Sequence, residues 1–520
     1  MESQQGLTTI FGNPGSNELP FLMDFPEDFR YILGLHEGAV ISMADGFAQA
    51  TCGAAFVNLH AAAGTGNAMG GLTNAVASHT PLVITAGQQI RSTVGLEAML
   101  ANVDAAQLPK PLVKWSAEPL CAEDVPRTIS QAIHTAQLPA RGPVYVSVPY
   151  DDWDKEAAPN GRHLATRRTV EGRSLSAGQL AELVELLDGA TNPVLVLGPD
   201  VDATGANNDA VTLAEKLAAP VWIAPSASRC PFHTRHRSFR GVLPAGIKNV
   251  SDLLAGHDLI LVIGAPVFRY HQYLPGEYLP EGARLIHITN DAGEAARAPM
   301  RDAVVASVGE ATRQLAEAVG TADRPALPEL PPIRPASTGS DAALHPEQVF
   351  EMLRNTAPKD VIYVKESTST TSSFWNMMDI GLQQGSYYFP AAGGLGFGLP
   401  AAVGVQLAQP RRQVIGFIGD GSANYGITAV WTAAQYKIPV VFLILKNGTY
   451  GALRWFAHVL DAGETPGLDV PDLDFVQIAN GYGVPAESVS TADGLQSALT
   501  KAVESGGPTL IEIATELTET

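Results

Sequence analysis

The chain has 520 residues, with 33 Lys and Arg against 53 Asp and Glu, a formal charge of −20. Hydrophobic residues make up 46% and charged residues 17%, which is too apolar for a disordered chain and normal for a globular enzyme with sizeable cores. The acidic balance argues against a general nucleic-acid binder, because phosphate neutralisation needs surplus Lys and Arg, and leaves room only for a local pocket taking one phosphorylated ligand.

The first sixteen residues, MESQQGLTTIFGNPGS, lack the basic and apolar stretches of a secretory leader, so a cytoplasmic location is expected. Gly53–Ile90 and Ser386–Pro410 carry no Asp, Glu, Lys or Arg, but both are laced with Gly, Asn, Ser or Pro. They read as buried loops and strands rather than membrane spans. Cys52, Cys121 and Cys230 lie far apart with no C-x-x-C, so neither a disulfide framework nor a thiolate metal site is indicated.

In chain order, short β-branched runs alternate with Ala-rich helical stretches, the pattern of parallel sheets with crossover helices. The first third has Thr8–Phe11, Ala54–His60, Pro81–Ala86 and Pro143–Val148. The middle third has Pro193–Leu197, Leu259–Ile263 and Arg284–Thr289. The last third has Val361–Val364, Gln413–Ile418, Val440–Leu445 and Thr509–Ile513. Ala322–Ser340 is Pro-rich and reads as a semi-rigid linker. A weaker boundary falls near Asp151–Ser174, where charge rises. The expected class is α/β, with three doubly wound parallel-sheet domains near 1–160, 175–320 and 342–520.

The strongest chemical signal lies in the last domain. Gln413–Ile418 runs into Gly419-Asp420-Gly421-Ser422, and Val440–Leu445 runs into Lys446-Asn447-Gly448-Thr449-Tyr450-Gly451. Asp-Gly and Asn-Gly are common turn dipeptides when met singly. Here Asp420 and Asn447 stand 27 positions apart, each just past a strand, so one strand-helix-strand unit brings both to the same carboxyl edge. A carboxylate, an amide oxygen and a carbonyl near Thr449 are hard donors suited to Mg²⁺ or Ca²⁺. The glycines let backbone N–H groups approach phosphate oxygens at a helix start. No G-x-x-x-x-G-K-[ST], G-x-S-x-G or H-E-x-x-H occurs, and Gly64-Thr65-Gly66-Asn67-Ala68-Met69 lacks the third glycine of a dinucleotide fingerprint.

The D-G…N-G-T-Y-G pair resembles the diphosphate-metal motif of thiamine diphosphate (ThDP) enzymes. The first domain, with Phe11-Gly12-Asn13-Pro14-Gly15-Ser16 followed by Glu37, resembles their pyrimidine-binding domain. Nearly end to end the chain resembles the benzoylformate decarboxylases, through GNPGSNELPF, LHAAAGTGNAMG, VIGAPVFRYHQY, ESTSTT, SYYFPAAGGLGFGLPAA and IGDGSANY…NGTYGALRWF among others.

The resemblance implies pyrimidine-binding, middle and diphosphate-binding domains, with ThDP and Mg²⁺ (or Ca²⁺) as cofactors. It makes Glu37 the carboxylic acid beside the aminopyrimidine, Gly393 a carbonyl contact to that ring, and Leu395 the prop for the bent cofactor. Thr368, Ser369, Gly421, Ser422 and Tyr450 match neighbours of the cofactor or its diphosphate, and Asp420, Asn447 and Thr449 match the metal ligands. Ser16 matches the residue that holds the substrate carboxylate or carbonyl, and His60 and His271 match proton shuttles.

Leu100, Phe389, Ala452, Leu453, Phe456 and Leu468 match an apolar pocket for a phenyl ring. The implied reaction is non-oxidative decarboxylation of an aromatic 2-keto acid, benzoylformate first, within mandelate-type aromatic catabolism. The implied partners are that small-molecule acid and further copies of the chain, in a homotetramer built from two dimers with shared active sites, and neither nucleic acid nor membrane. Met99, Pro390, Ala61, His458 and Lys446 depart from the usual residues. The first four bear on which 2-keto acid is preferred. A ThDP-dependent carboligase, oxidase or other decarboxylase is the alternative, and a catalytically silent ThDP-fold binding protein a remoter one.

Overall fold

The structure, a computed structural model, describes residues 6–156, 162–271, 274–299 and 302–518. Three sheets follow one another along the chain. The first contains β1 (Thr9–Gly12), β2 (Arg30–Leu33), β3 (Ala55–Leu59), β4 (Leu82–Gln88), β5 (Trp115–Ala117) and β6 (Val144–Pro149). Its order is β2-β1-β3-β4-β6-β5, parallel throughout. The second contains β7 (Pro193–Leu197), β8 (Val221–Ile223), β9 (Phe239–Val242), β10 (Leu259–Ile263), β11 (Arg284–Thr289) and β12 (Asp302–Val305), in the parallel order β12-β11-β10-β7-β8-β9.

The two-residue β14 (Tyr387–Tyr388) precedes four longer strands, β15 (Val414–Gly419), β16 (Val441–Lys446), β17 (Ala486–Val489) and β18 (Thr509–Ala514). With β13 (Ile362–Glu366) these four run parallel in the order β13-β15-β16-β18-β17. The strand orders and the helices between them are those of the expected doubly wound α/β class.

The chain forms two compact units. One comprises residues 1–170, 337–371 and 390–520, the other residues 171–336 and 372–389. In the first unit β3, β4 and β6 are buried along their whole length, as expected where helices cover both faces of a sheet. Phe56, Val83, Val144 and Val146 pack there with Ile129 and Ile133 from a flanking helix. Helix α1 (Glu37–Thr51) packs against α2 (Ala61–Ala77), and on its other side against α3 (Gly398–Ala408). In the second unit, Arg229 Nε donates to Asp202 Oδ2 at 2.8 Å, and its guanidinium lies 5.0 Å from the centre of the Tyr388 ring. Both charged groups are buried.

Every strand expected from sequence is present, within one or two residues at its ends. The longer strands without a sequence expectation are β2, β5, β8, β9, β12 and β17. All but β8 are sheet edges, and their half-exposed residues lack the continuous apolar run of a central strand. The expected linker, Ala322–Ser340, has no regular structure. No helix among the described residues is long and apolar enough to cross a membrane, and the three cysteines form no disulfide.

Candidate active site

The site is built on the carboxyl ends of β15 and β16. β15 passes directly into α4 (Asp420–Gly426), so Asp420 sits at the first position of a helix. Its Oδ1 accepts from the Gly421 N–H at 2.8 Å, and its Oδ2 accepts from the N–H groups of Asn447 at 3.1 Å and Gly448 at 2.7 Å. The carboxylate that ends one strand thereby shapes the turn that ends the next. Burial raises the Asp420 carboxyl above its ordinary range, and these N–H donors oppose the shift only in part. A desolvated carboxylate beside amide and carbonyl oxygens is the donor set that a hard divalent cation would complete.

Asn447 Oδ1 accepts from Thr449 N–H at 3.1 Å. Thr449 Oγ1 donates to the Leu468 carbonyl at 2.8 Å and accepts from Arg454 Nε at 2.7 Å, which pins the turn to the start of α5 (Gly451–Val459). A Cβ on Gly421 would fall 2.5 Å from Tyr450 Cε1, so a larger residue there would displace the Tyr450 ring. The oxygens of this turn, at the start of a helix, fit a diphosphate held through a metal ion. Ser422 is buried beside them, Ser369 packs against Gly451, and Thr368 is exposed in the turn that follows β13.

A second cluster lies beside the first sheet, in the same unit. Glu37 begins α1 after the N-cap His36 and is buried. Asn13 Nδ2 donates to its Oε1 at 3.3 Å and Asn67 Nδ2 to its Oε2 at 3.0 Å. His60 is the residue before α2. Its Nδ1 lies 2.7 Å from Glu18 Oε2. Glu18 also accepts from the N–H groups of Gly15, Gly87 and Ala61. Both Glu18 oxygens already accept backbone N–H groups, so the Nδ1–H tautomer of His60 completes this contact and leaves Nε2 outside it. Gly15 lies against the His60 ring, where a Cβ would come within 2.2 Å of Nδ1, so the exposed Ser16 follows directly after that contact.

Gly393, at φ +73°, and Leu395 lie on the loop that enters α3. Ala452, Leu453 and Phe456 lie on α5, and the Leu468 carbonyl accepts from Thr449 and Tyr450. Leu468 also lines an open cavity of about 570 Å³ with Arg454, His458, Asp461 and Asp469, the other face of α5. Leu100 is in the left-handed region at φ +69° on a partly exposed loop. His271 and Phe389 belong to the second unit. His271 is exposed and its N–H donates to the Ala245 carbonyl. The Phe389 N–H donates to the Ser228 carbonyl.

Sequence reading passed over Glu18, Asn67, Asn74, Glu366 and Arg454. Glu18 had a signal, an acid at the end of a short turn just before the apolar run Leu19–Leu22, where an ionised group needs a partner.

Three family descriptions match the chain in order. They are thiamine pyrophosphate enzyme, N-terminal TPP binding domain over residues 2–108, the central domain over 180–315, and the C-terminal TPP binding domain over 368–513. The class that fold and site define is that of the thiamine pyrophosphate enzymes. A benzoylformate decarboxylase of Pseudomonas aeruginosa is 65% identical over 99% of this chain and 97% of its own. Among solved structures, a Rhodococcus jostii thiamine diphosphate-dependent 4-hydroxybenzoylformate decarboxylase is 65% identical at a TM-score of 0.98, covering 100% of this chain and 98% of its own. A benzoylformate decarboxylase from Polynucleobacter necessarius is 36% identical at 0.96, covering 99% and 97%. The chain belongs to the benzoylformate decarboxylase family of thiamine pyrophosphate enzymes.

Proposed function

We propose that the protein catalyses the non-oxidative, ThDP-dependent decarboxylation of an aromatic 2-keto acid, with benzoylformate converted to benzaldehyde and CO₂. The observation that carries this reading is the oxygen-lined turn of Asp420, Asn447 and Thr449 at adjacent strand ends. Asp420, the Asn447 amide oxygen and the Thr449 carbonyl would hold Mg²⁺ or Ca²⁺, with Thr368, Ser369, Gly421, Ser422 and Tyr450 around the diphosphate. When bound, thiamine diphosphate supplies the nucleophilic carbon and the electron sink for loss of CO₂.

The chain's own residues bind, orient and move protons. Glu37, held by two amide donors, would exchange a proton with the pyrimidine ring. Gly393 would offer its carbonyl to the same ring, and Leu395 would support the cofactor from below. Ser16 Oγ would hold the substrate carboxylate. After the carbon–carboxylate bond breaks, a proton has to reach the former keto carbon before the aldehyde leaves. His60 Nε2 and His271 are the candidate carriers. Leu100, Phe389, Ala452, Leu453, Phe456 and Leu468 would line a dry pocket for the aromatic ring. We assign domains at 1–160, 175–320 and 342–520, a cytoplasmic location, and a tetramer of two dimers in which Glu37 of one copy serves a partner's cofactor.

Equal identity to a 4-hydroxybenzoylformate enzyme favours a second reading, in which the ring carries a para-hydroxyl. Purified protein with ThDP and Mg²⁺ is assayed for aldehyde release from benzoylformate, 4-hydroxybenzoylformate and pyruvate in parallel. A kcat/KM at least tenfold above pyruvate for either aromatic acid, about 1.4 kcal/mol of transition-state binding, supports the aromatic reading and ranks the two. A preference for pyruvate sinks it.

A further inference from the structure

The loop 391–397, between the end of the second unit's sequence and α3, carries Gly393 and Leu395. Two buried polar side chains hold it, one on each side of Leu395. Asn74, near the end of α2, donates from Nδ2 to the Gly394 carbonyl at 2.8 Å. Its Oδ1 accepts from the N–H groups of Ala392 at 3.1 Å and Gly394 at 3.2 Å. Glu366, the last residue of β13, accepts through Oε1 from Gly396 at 2.9 Å and Phe397 at 3.1 Å, and through Oε2 from Gly398 at 2.8 Å. Each side chain is only 1% exposed. Residues 392, 394, 396, 397 and 398 are all tethered, and Leu395 is suspended between the two sets.

One tether reaches the sheet that carries Asp420, the other the helix pair that carries Glu37. Glu366 pairs in register with Ile418, two residues before Asp420. Asn74 follows Asn67, which holds Glu37, by seven residues on α2. Seven residues are two helical turns, about 10 Å on one helix face. The same face carries Gly64, whose missing Cβ would lie 3.0 Å from Glu37 Oε1, and Gly71, which lies against Ile41 of α1. The loop is thus fixed against the Asp420 sheet from one side and the Glu37 helix pair from the other.

We propose that Asn74 and Glu366 are positioning residues, which set the height of the Gly393 carbonyl and the Leu395 side chain over the diphosphate turn. They thereby select the conformation in which thiamine diphosphate binds. The inference rests on the cofactor reading above. An ordinary loop-packing role would give these hydrogen bonds too, so the test separates cofactor shape from general stability.

Chelator-stripped full-length protein is titrated with two probes at saturating Mg²⁺, read by tryptophan fluorescence. Pyrophosphate reports the Asp420 turn alone, and ThDP reports the turn plus the loop. Asn74→Ala and Glu366→Gln should each weaken ThDP at least tenfold and leave pyrophosphate within twofold of the unaltered chain. Asn74→Asp keeps the acceptor for two N–H groups and should lose less than Asn74→Ala. It also serves if the alanine variant fails to fold. In the loaded enzyme, kcat should fall with KM for the keto acid little changed. ThDP affinity within twofold in all the folded variants overturns the proposal, as does equal weakening of both probes. If the unaltered chain binds pyrophosphate but not ThDP, the cofactor reading itself falls, and this inference with it.

Discussion

Glu18 Oε2 lies 2.7 Å from His60 Nδ1 while its two oxygens accept from three backbone N–H groups. The carboxylate is 1% exposed, so it cannot trade this role for solvent. It fixes both the ring plane and the tautomer of His60, the second of which decides whether Nε2 can carry a proton.

Glu18→Gln keeps the volume but turns an amide N–H₂ toward Nδ1, which favours the opposite tautomer. We expect kcat for benzoylformate to fall by about 10–100-fold, part of the usual worth of general acid–base help. On a His60→Ala background the same change should add less than threefold, because the pair acts as one unit. Additive losses in the double variant would show that Glu18 acts elsewhere.

Metal removal tests the Asp420 turn. Stripping with a chelator should abolish ThDP binding, and Mg²⁺ or Ca²⁺ should restore it, because the donors are all oxygens. In Asp420→Ala, neither ion should restore binding at concentrations saturating for the unaltered chain, a loss of about 100-fold or more for a site stripped of its one carboxylate. Fluorescence titration reads both. Full ThDP affinity without metal would remove the turn from the cofactor reading.

The central strands were legible in sequence because parallel strands covered on both faces are apolar almost throughout, so Gln413–Ile418 and Val440–Leu445 stood out and the structure has them at Val414–Gly419 and Val441–Lys446. Asp420 and Asn447 were legible because strand ends and turn glycines fix them on one edge. Edge strands such as Asp302–Val305 were not, since half-exposed residues carry no periodic signal. Nor were Asn74 and Glu366. An asparagine inside an Ala- and Gly-rich helix and a glutamate after a lysine look like surface residues until the fold places a loop's N–H groups against them. The partners of such residues lie up to 320 positions away, and no local pattern encodes that distance.

Asp202 and Arg229 form a buried pair in the second unit, and Asp202 also accepts from Gly385 N–H and Asn207 Nδ2. Asp202→Ala leaves a buried guanidinium without this carboxylate, a change worth about 3–5 kcal/mol. The apparent Tm should drop by several degrees, read by circular dichroism with and without ThDP. A shift under one degree would mean that water enters and solvates Arg229.

Lys365 and Glu366 are neighbours on β13 and both are fully buried, which gives stability an unusual dependence on pH. Burial brings the Lys365 ammonium down from 10.5 to about 7, with Glu366 opposing only in part. Between about 7 and 10.5 the unfolded chain holds that proton and the folded chain does not, so stability rises with pH across this window. Burial likewise raises Glu366 from 4.5 to about 7, against its three N–H donors. Between those values the folded chain holds the extra proton, so its contribution falls as pH rises. The two arms meet near neutrality. Lys365→Met removes the upper arm, at the loss of a 2.7 Å hydrogen bond to Thr371 Oγ1. The difference in apparent Tm between variant and unaltered chain should therefore favour the variant most below pH 7 and shrink steadily toward pH 9.5. A difference that stays constant over that range would show that the folded chain keeps Lys365 charged.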